Sequence, residues 1–235
     1  GIVMKRSWAG EVRNVSLLVA SAVNSEGFRE ILGLCEGAKE DKSGWSAFLR
    51  HLVDRGLKGV QLVISDACRG LVESVADFLP EARYQRCMVH FYRNVFSHVP
   101  STRVREVSHM LKAIHAQESR EAADKKAQAI VEDLRATRMG KAADLVEQAV
   151  HETLTYYGFP DIHWQKIRTN NPLERIMKEI GRRTRVVGAF PDGQSCLNLA
   201  AARLRHIAGT TWSAKCYMNM RPLYQQQQSE TEAVA

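Results

Sequence analysis

A chain of 235 residues with 45% hydrophobic content is long enough to bury a core of its own, as one domain with an insertion or as two small ones, which excludes a disordered class. Its 33 Lys and Arg outweigh 26 Asp and Glu for a net charge of +7, favouring a polyanionic partner, nucleic acid first, over an acidic small molecule. No apolar run approaches the ~18 residues of a membrane span. Five scattered cysteines (Cys35, Cys68, Cys87, Cys196, Cys216), odd in number and without a secretory leader, fit reduced thiols and a cytoplasmic location better than a disulfide framework.

The chain opens with Gly1 to Trp8, which reads as the second half of a strand with no lead-in. Val12 to Val23 and Arg29 to Leu34 are β-rich runs separated by the turn-like Asn24-Ser25-Glu26-Gly27, which predicts three strands in meander order. Lys42 to Arg55 carries Trp45, Phe48, Leu49 and Leu52 at helical spacing and stops at Gly56. Val60 to Ser65 (VQLVIS) is a mostly apolar run before Asp66 and a helix bearing Leu71, Val72, Val75 and Phe78. That order predicts a central strand buried on both faces and joined by a crossover to a parallel neighbour. Asp66 would then stand just past a strand's carboxyl end, where α/β sheets keep their sites, although an aspartate there can also cap the next helix. Ala82 to Val89 is a candidate fifth strand and Phe91 to His98 a helix, with Pro100 breaking the pattern.

From Val104 to Tyr157 the sequence is almost entirely helix-forming, with stripes at Val107, Leu111 and Ile114, then Ile130, Val131 and Leu134, then Leu145, Val146 and Ala149. An aromatic run comes next at Tyr156, Tyr157, Phe159 and Trp164; packing at the exit of this block is the simpler reading, and stacking on an unpaired base the alternative. Ser195 to Ile207 predicts a last helix, and Gln225 to Gln228 with Ser229 to Ala235 a frayed, low-complexity tail.

The densest chemistry lies between Trp164 and Gly193. Asn171 can cap a helix, Pro172 suits its first turn, and Leu173, Ile176, Met177 and Ile180 form one apolar stripe. Glu174 falls on the flank of that stripe with Lys178, Gly181 and Arg185, so its carboxylate would emerge at the edge of the core. From Lys166 to Arg185 there are seven basic residues (Lys166, Arg168, Arg175, Lys178, Arg182, Arg183, Arg185) and two acids (Glu174, Glu179). A carboxylate set in a basic face suits a metal-dependent enzyme acting on nucleic acid: the acid binds a hard cation and the cations hold phosphates beside it. The spacing of Asn171 and Glu174 equally fits a capping box. Cys87-Met88-Val89-His90 has half the spacing of a zinc site with no second pair at matching distance, which favours a buried cysteine and a hydrogen-bonded histidine. Walker-type and dinucleotide glycine motifs are absent.

Taken together, ISDACRGL (Ile64 to Leu71), RCMVH (Arg86 to His90), a helical block and RTNNPLERIMKEIGRRTRVVGAFPDG (Arg168 to Gly193) closely resemble the bacterial insertion-sequence transposases of the Mutator type, over residues 1 to about 220. The resemblance implies an α/β fold: an RNase H-like core, a mixed sheet flanked by helices, interrupted by an all-helical insertion. The corresponding boundaries are 1–100 for the first part of the core, 101–165 for the insertion, 166–210 for core completion with the Glu-bearing helix, and 211–235 for a tail with a disordered end. It implies an Asp, Asp, Glu triad on two Mg²⁺ or Mn²⁺ ions that cuts and joins DNA. Asp66 matches the second aspartate and Glu174 the glutamate, while Cys87 and His90 match a Cys-x-x-His signature that shapes the site. Arg168, Asn170, Asn171, Arg175, Lys178, Arg182, Arg183 and Arg185 are the candidate DNA contacts. The implied partners are DNA, as element ends and target, and a second copy in a homodimer on DNA, with no membrane; the implied location is cytoplasmic, at the bacterial nucleoid.

The family's first aspartate precedes a Gly-Ile-Val-like sequence, and this chain opens at Gly1, with Glu11 its first acid and Asp41 its first aspartate. The expectation is a truncated catalytic portion, inactive alone. Two alternatives stand beside it: a non-catalytic fragment that binds DNA or pairs with an intact copy as an inhibitor, and a stand-alone RNase H-like nuclease.

Overall fold

The computed structural model describes residues 2–8, 11–37, 41–187 and 190–234. Three strands come first, β1 (Ile2–Trp8), β2 (Glu11–Val23) and β3 (Arg29–Gly37), paired antiparallel in the order β1-β2-β3. They are the predicted meander. The turn between β2 and β3 is closed by Asn24, whose side-chain oxygen accepts from the Glu26 and Phe28 amides (3.0 and 2.9 Å). Helix α1 (Lys42–Asp54) is capped by Asp41, which accepts from Gly44 N at 2.9 Å, buries Trp45, Phe48, Leu49 and Leu52, and gives way to Gly56 at φ +101. Strand β4 (Leu62–Ser65), helix α2 (Arg69–Phe78), strand β5 (Arg83–Arg86) and helix α3 (Met88–Phe96) come next. The helical run continues through α4 (Val104–Ile114), α5 (Arg120–Ala136), α6 (Gly140–Ala149) and α7 (Trp164–Ile167), with 3-10 turns between them. Helices α8 (Asn171–Thr184), α9 (Gly193–Ala208), α10 (Thr211–Ala214) and α11 (Arg221–Val234) close the chain.

Two compact units result. The first comprises Gly1–Val60, Cys68–Ala82 and Asn171–Ala235; the second, Gln61–Ala67 and Arg83–Asn170. In the first, Leu17 and Val19 of β2, Ile176 and Ile180 of α8, Phe190, and Cys196, Ala200 and Leu204 of α9 form one buried cluster. Gly70 of α2 lies so close to α1 that a Cβ there would meet the Asp41 and Lys42 backbone at 2.6 and 2.5 Å. In the second, β4 and β5 pair in parallel from Leu62↔Arg83 to Ser65↔Arg86, and the helical stripes at Val107, Leu111, Ile114, Ile130, Val131, Leu134 and Val146 are buried.

Several expectations are revised. VQLVIS does not give a strand buried on both faces: Leu62, Val63 and Ile64 are half-buried, because β4 belongs to a two-stranded sheet and has β5 alone beside it among the described residues. Apolar content reports burial and not the number of neighbouring strands. Helix α3 starts three residues before Phe91, since β5 ends at Arg86 and Met88-Val89 suit a helix as well as a strand. Residues 221–234 are helical, where a frayed tail is expected. Glutamine is a good helix former, and the segment is anchored by buried Leu223 and by Tyr224 OH, which donates to Ser25 O at 2.8 Å. The aromatic run is packing: Tyr156 is 1% exposed, stacks on Tyr157 at 4.4 Å, and both meet Trp164 edge-on.

Helix α5 ends in a Schellman turn, with Met139 N bonded to Leu134 O (2.8 Å) and Arg138 N to Arg135 O (3.0 Å). Its left-handed position is held by Arg138 at φ 62, where a Cβ is unfavourable. Arg138→Gly is therefore expected to stabilise the protein by about 0.5–1 kcal/mol, read as a rise in the urea midpoint. A fall would show that the exposed Arg138 side chain matters more than its backbone strain.

Candidate functional site

Asp66 is the first residue beyond β4 and is half-buried. It is not a helix cap: α2 begins at Arg69, with Cys68 at the cap position and no side-chain cap bond. Its main chain is clasped instead. The Asp66 carbonyl accepts from Ser65 Oγ at 2.7 Å and from Tyr84 Oη at 3.0 Å, and the two hydroxyls lie 3.2 Å apart. Burial pushes the Tyr84 phenol up to about 12, so it stays a neutral donor across the physiological range. Nothing in the sequence pattern marks this pair, because a serine within an apolar strand and a tyrosine 19 residues later meet only through the parallel register of β4 and β5.

Cys87 is 0% exposed and joins two further stretches. Its backbone N–H donates to Ser65 O at 2.7 Å, and its Sγ accepts from Asn170 N at 3.4 Å. The residue before Asp66 and the residue before α8 thus both bond to Cys87, one through its backbone N–H and the other through its sulfur. Met88 N adds a bond to Arg168 O at 3.0 Å in the same region. His90 is half-buried in the first turn of α3. All five cysteines are free thiols. Among the described residues no three His, Cys, Asp or Glu side chains gather as metal ligands.

In the first unit, Glu174 occupies the first turn of α8, half-buried beside Ile176 and Ile180. The helix is already formed at Asn171, so Glu174 stands fourth in it, one place beyond where a capping-box glutamate reaches back. Asn171, Arg175, Lys178, Arg182, Arg183 and Arg185 are exposed along α8 and the turn after it.

Their charge is partly answered within the helix. Glu179 accepts a two-pronged bond from Arg182 (2.8 and 3.1 Å), pairs with Arg183 at 3.7 Å and meets Arg203 of α9 at 2.6 Å. The Arg182 hydrogen bond, with Arg203 and Arg183 behind it, pulls the Glu179 carboxyl down to about 2. The pairing with Arg182 and Arg183 follows from their spacing of three and four residues, whereas Arg203 arrives only through the packing of α9 on α8. In the second unit, Arg168 is half-buried with Nη1 3.4 Å from His115 O, so it is less open to a partner than the α8 arginines. Asp66 and Asn170, with Cys87 and His90, belong to the second unit and Glu174 to the first.

The architecture is mixed α/β, with one acid just beyond a parallel strand and another inside a basic helix. Residues 1–214 match the family described as "Transposase, Mutator family", and the chain belongs to it. It is 39% identical over 203 residues to the transposase for insertion sequence element IS1081 of Mycobacterium tuberculosis, covering 86% of this chain and 49% of that protein. The transposase for ISRM5 of Rhizobium meliloti is 36% identical over 221 residues (92% and 54%), and that for IS256 in transposon Tn4001 of Staphylococcus aureus 28% over 210 (88% and 54%). The chain spans about half the length of these curated relatives. No helix among the described residues is long and apolar enough to cross a membrane.

Proposed function

We propose that this chain is part of the catalytic region of a protein that carries out metal-dependent DNA strand cleavage and strand transfer for an insertion sequence, an RNase H-like core with the helices of residues 101–165 inserted, working as a homodimer on element ends and target DNA, and that the chain does not cleave DNA by itself. The observation that carries the reading is the family match, which runs across both Asp66 and Glu174. Support comes from the Cys87 junction, where the backbones leading to Asp66 and to α8 are tied to one residue.

Asp66 and Glu174 are hard oxygen donors of the kind Mg²⁺ or Mn²⁺ prefers, and a further carboxylate would complete the family's triad. Two such ions, when bound, supply activation of the attacking oxygen and charge compensation at the leaving oxygen. The Ser65 and Tyr84 hydroxyls fix the peptide of Asp66, and the α8 cations hold the phosphates next to Glu174. Loaded with Fe²⁺ and treated with ascorbate and peroxide, the chain is expected to be cut close to both Asp66 and Glu174, and Asp66→Ala to suppress both cuts. Cutting beside one acid only, or cuts indifferent to Asp66→Ala, would sink the shared-ion reading.

Glu179 occupies guanidinium groups that a phosphate would otherwise take. Glu179→Gln is expected to tighten DNA binding several-fold and to steepen its salt dependence by about one phosphate equivalent, a slope change of roughly 0.9. Fluorescence anisotropy of a labelled duplex across a salt series reads both, and an unchanged slope would mean that Glu179 withholds nothing.

A further inference from the structure

Arg29, the first residue of β3, lies over two aromatic rings, with its guanidinium carbon 4.8 Å from the centre of Trp212 and 4.7 Å from that of Tyr217. Those rings belong to α10 and the segment after it, which is fastened to the β2–β3 turn. Gly27 O accepts from the Tyr217 and Met218 amides at 2.8 and 3.1 Å. Gly27 itself stands at φ +89, where an added Cβ would run into Met218 O. The arginine is thereby held in one orientation by a braced frame, which removes most of the entropy its side chain would lose on binding.

Among the described residues no carboxylate answers it: the Arg29 side chain makes no ion pair and no hydrogen bond, and its Nε is buried without a partner. Buried Arg86 and half-buried Arg203, by contrast, are paired with acids, Arg86 with Glu152 at 3.2 Å and Arg203 with Glu179 at 2.6 Å. Arg175, exposed on α8 one residue after Glu174, is a further cation of the same unit. Burial pulls the Arg29 guanidinium below its ordinary value, with Tyr217 opposing it and the Arg175 charge adding a smaller effect in the same direction as burial. The ring faces are already covered by the guanidinium, which argues against a stacked base and for a tetrahedral oxyanion bound by the planar fork.

Resting on the DNA reading above, we propose that Arg29, oriented by Trp212 and Tyr217, seats one phosphate of a DNA strand.

Arg29→Met keeps an unbranched apolar stem and removes the charge. In the full 235-residue chain it is expected to weaken binding of a labelled duplex about 5- to 10-fold and to lower the salt slope by roughly 0.9, the loss of one phosphate contact, with Arg29→Lys in between. Unchanged affinity and slope in Arg29→Met, at an unchanged melting temperature, would reduce the cage to a clamp for the C-terminal segment and overturn the proposal. Phenylglyoxal labelling of the wild-type chain gives a readout independent of any variant's folding: duplex is expected to slow adduct formation at Arg29 several-fold, and no protection overturns the proposal. Equal protection by inorganic phosphate alone would make this a free-anion seat and overturn the DNA assignment. A wild-type chain that fails to bind duplex at all sinks the DNA reading and this proposal together.

Discussion

Lowering the pH from 6.5 to about 4 is expected to remove about 3 kcal/mol of stability through His115, whose imidazole is held down to about 4 from the ordinary 6.5. The cause is burial first: the ring is 5% exposed, between α4 and the turn at Val150–Thr153, with the Arg168 cation adding to the effect and the Leu111 carbonyl opposing it. Thr153 gives its hydroxyl proton to Val150 O (2.6 Å), so it accepts from His115 Nε2–H at 2.8 Å, while Nδ1 lies 2.8 Å from Tyr92 Oη and 3.2 Å from Leu111 O. Because the folded chain resists the proton that the unfolded chain takes up, the unfolded state binds more protons throughout this window. The stabilisation is therefore complete above pH 6.5 and drains away as the pH falls towards 4. Urea midpoints at half-unit pH intervals measure it. Acid-sensitive carboxylates such as Glu179 contribute as well, so the informative quantity is the difference between wild type and His115→Gln, which should shrink steadily between pH 6.5 and 4. A wild type and a variant with parallel profiles would show that His115 titrates normally.

His115 also shows where sequence reading stops. The stripes at Val107, Leu111 and Ile114 and at Ile130, Val131 and Leu134 announce the buried faces of α4 and α5, because helical periodicity is a local property and survives folding unchanged. The meander is legible for the same reason, from alternation and one turn. His115, by contrast, looks like the end of an amphipathic helix, and its burial depends on Thr153, which is 38 positions away. Gln85 is comparable: its amide bridges Arg86 O, Thr153 O and Tyr156 N at 2.8, 2.8 and 2.9 Å, a set of partners invisible in a four-residue strand. In the candidate site, motif and resemblance point to Asp66, Cys87 and Glu174, whereas the Ser65–Tyr84 clasp and the Arg29 cage depend on register and docking. The tail misleads because its low complexity masks glutamine's helix propensity and the anchoring Leu223.

Replacing Arg182, Arg183 and Arg185 together by Ala is expected to weaken DNA binding by about two orders of magnitude at low salt and to lower the salt slope by no more than roughly 2.7, the value for three phosphates. The three are not equivalent. Arg185 makes no ion pair with a described residue and is exposed, so Arg185→Ala alone should remove close to a full phosphate equivalent. Arg182 and Arg183 are shared with Glu179, and their joint removal should lower the slope by less than two equivalents, since part of their charge is already answered. It also leaves Glu179 with Arg203 alone, an acid that now repels an approaching phosphate, so affinity should fall further than the slope predicts. These guanidiniums are largely solvent-exposed, with Arg182 and Arg183 side chains 63% and 51% accessible, and surface pairs of this kind are worth about 0–1 kcal/mol; the melting temperature should hardly move. Asp66→Ala provides the contrast, because a metal-binding acid contributes no phosphate contact and should leave affinity and slope in place. Anisotropy titrations of wild type and these variants across a salt series separate the outcomes. A triple variant that binds duplex with wild-type slope would move the DNA surface off α8 altogether, and with it the reason for placing Glu174 beside a phosphate.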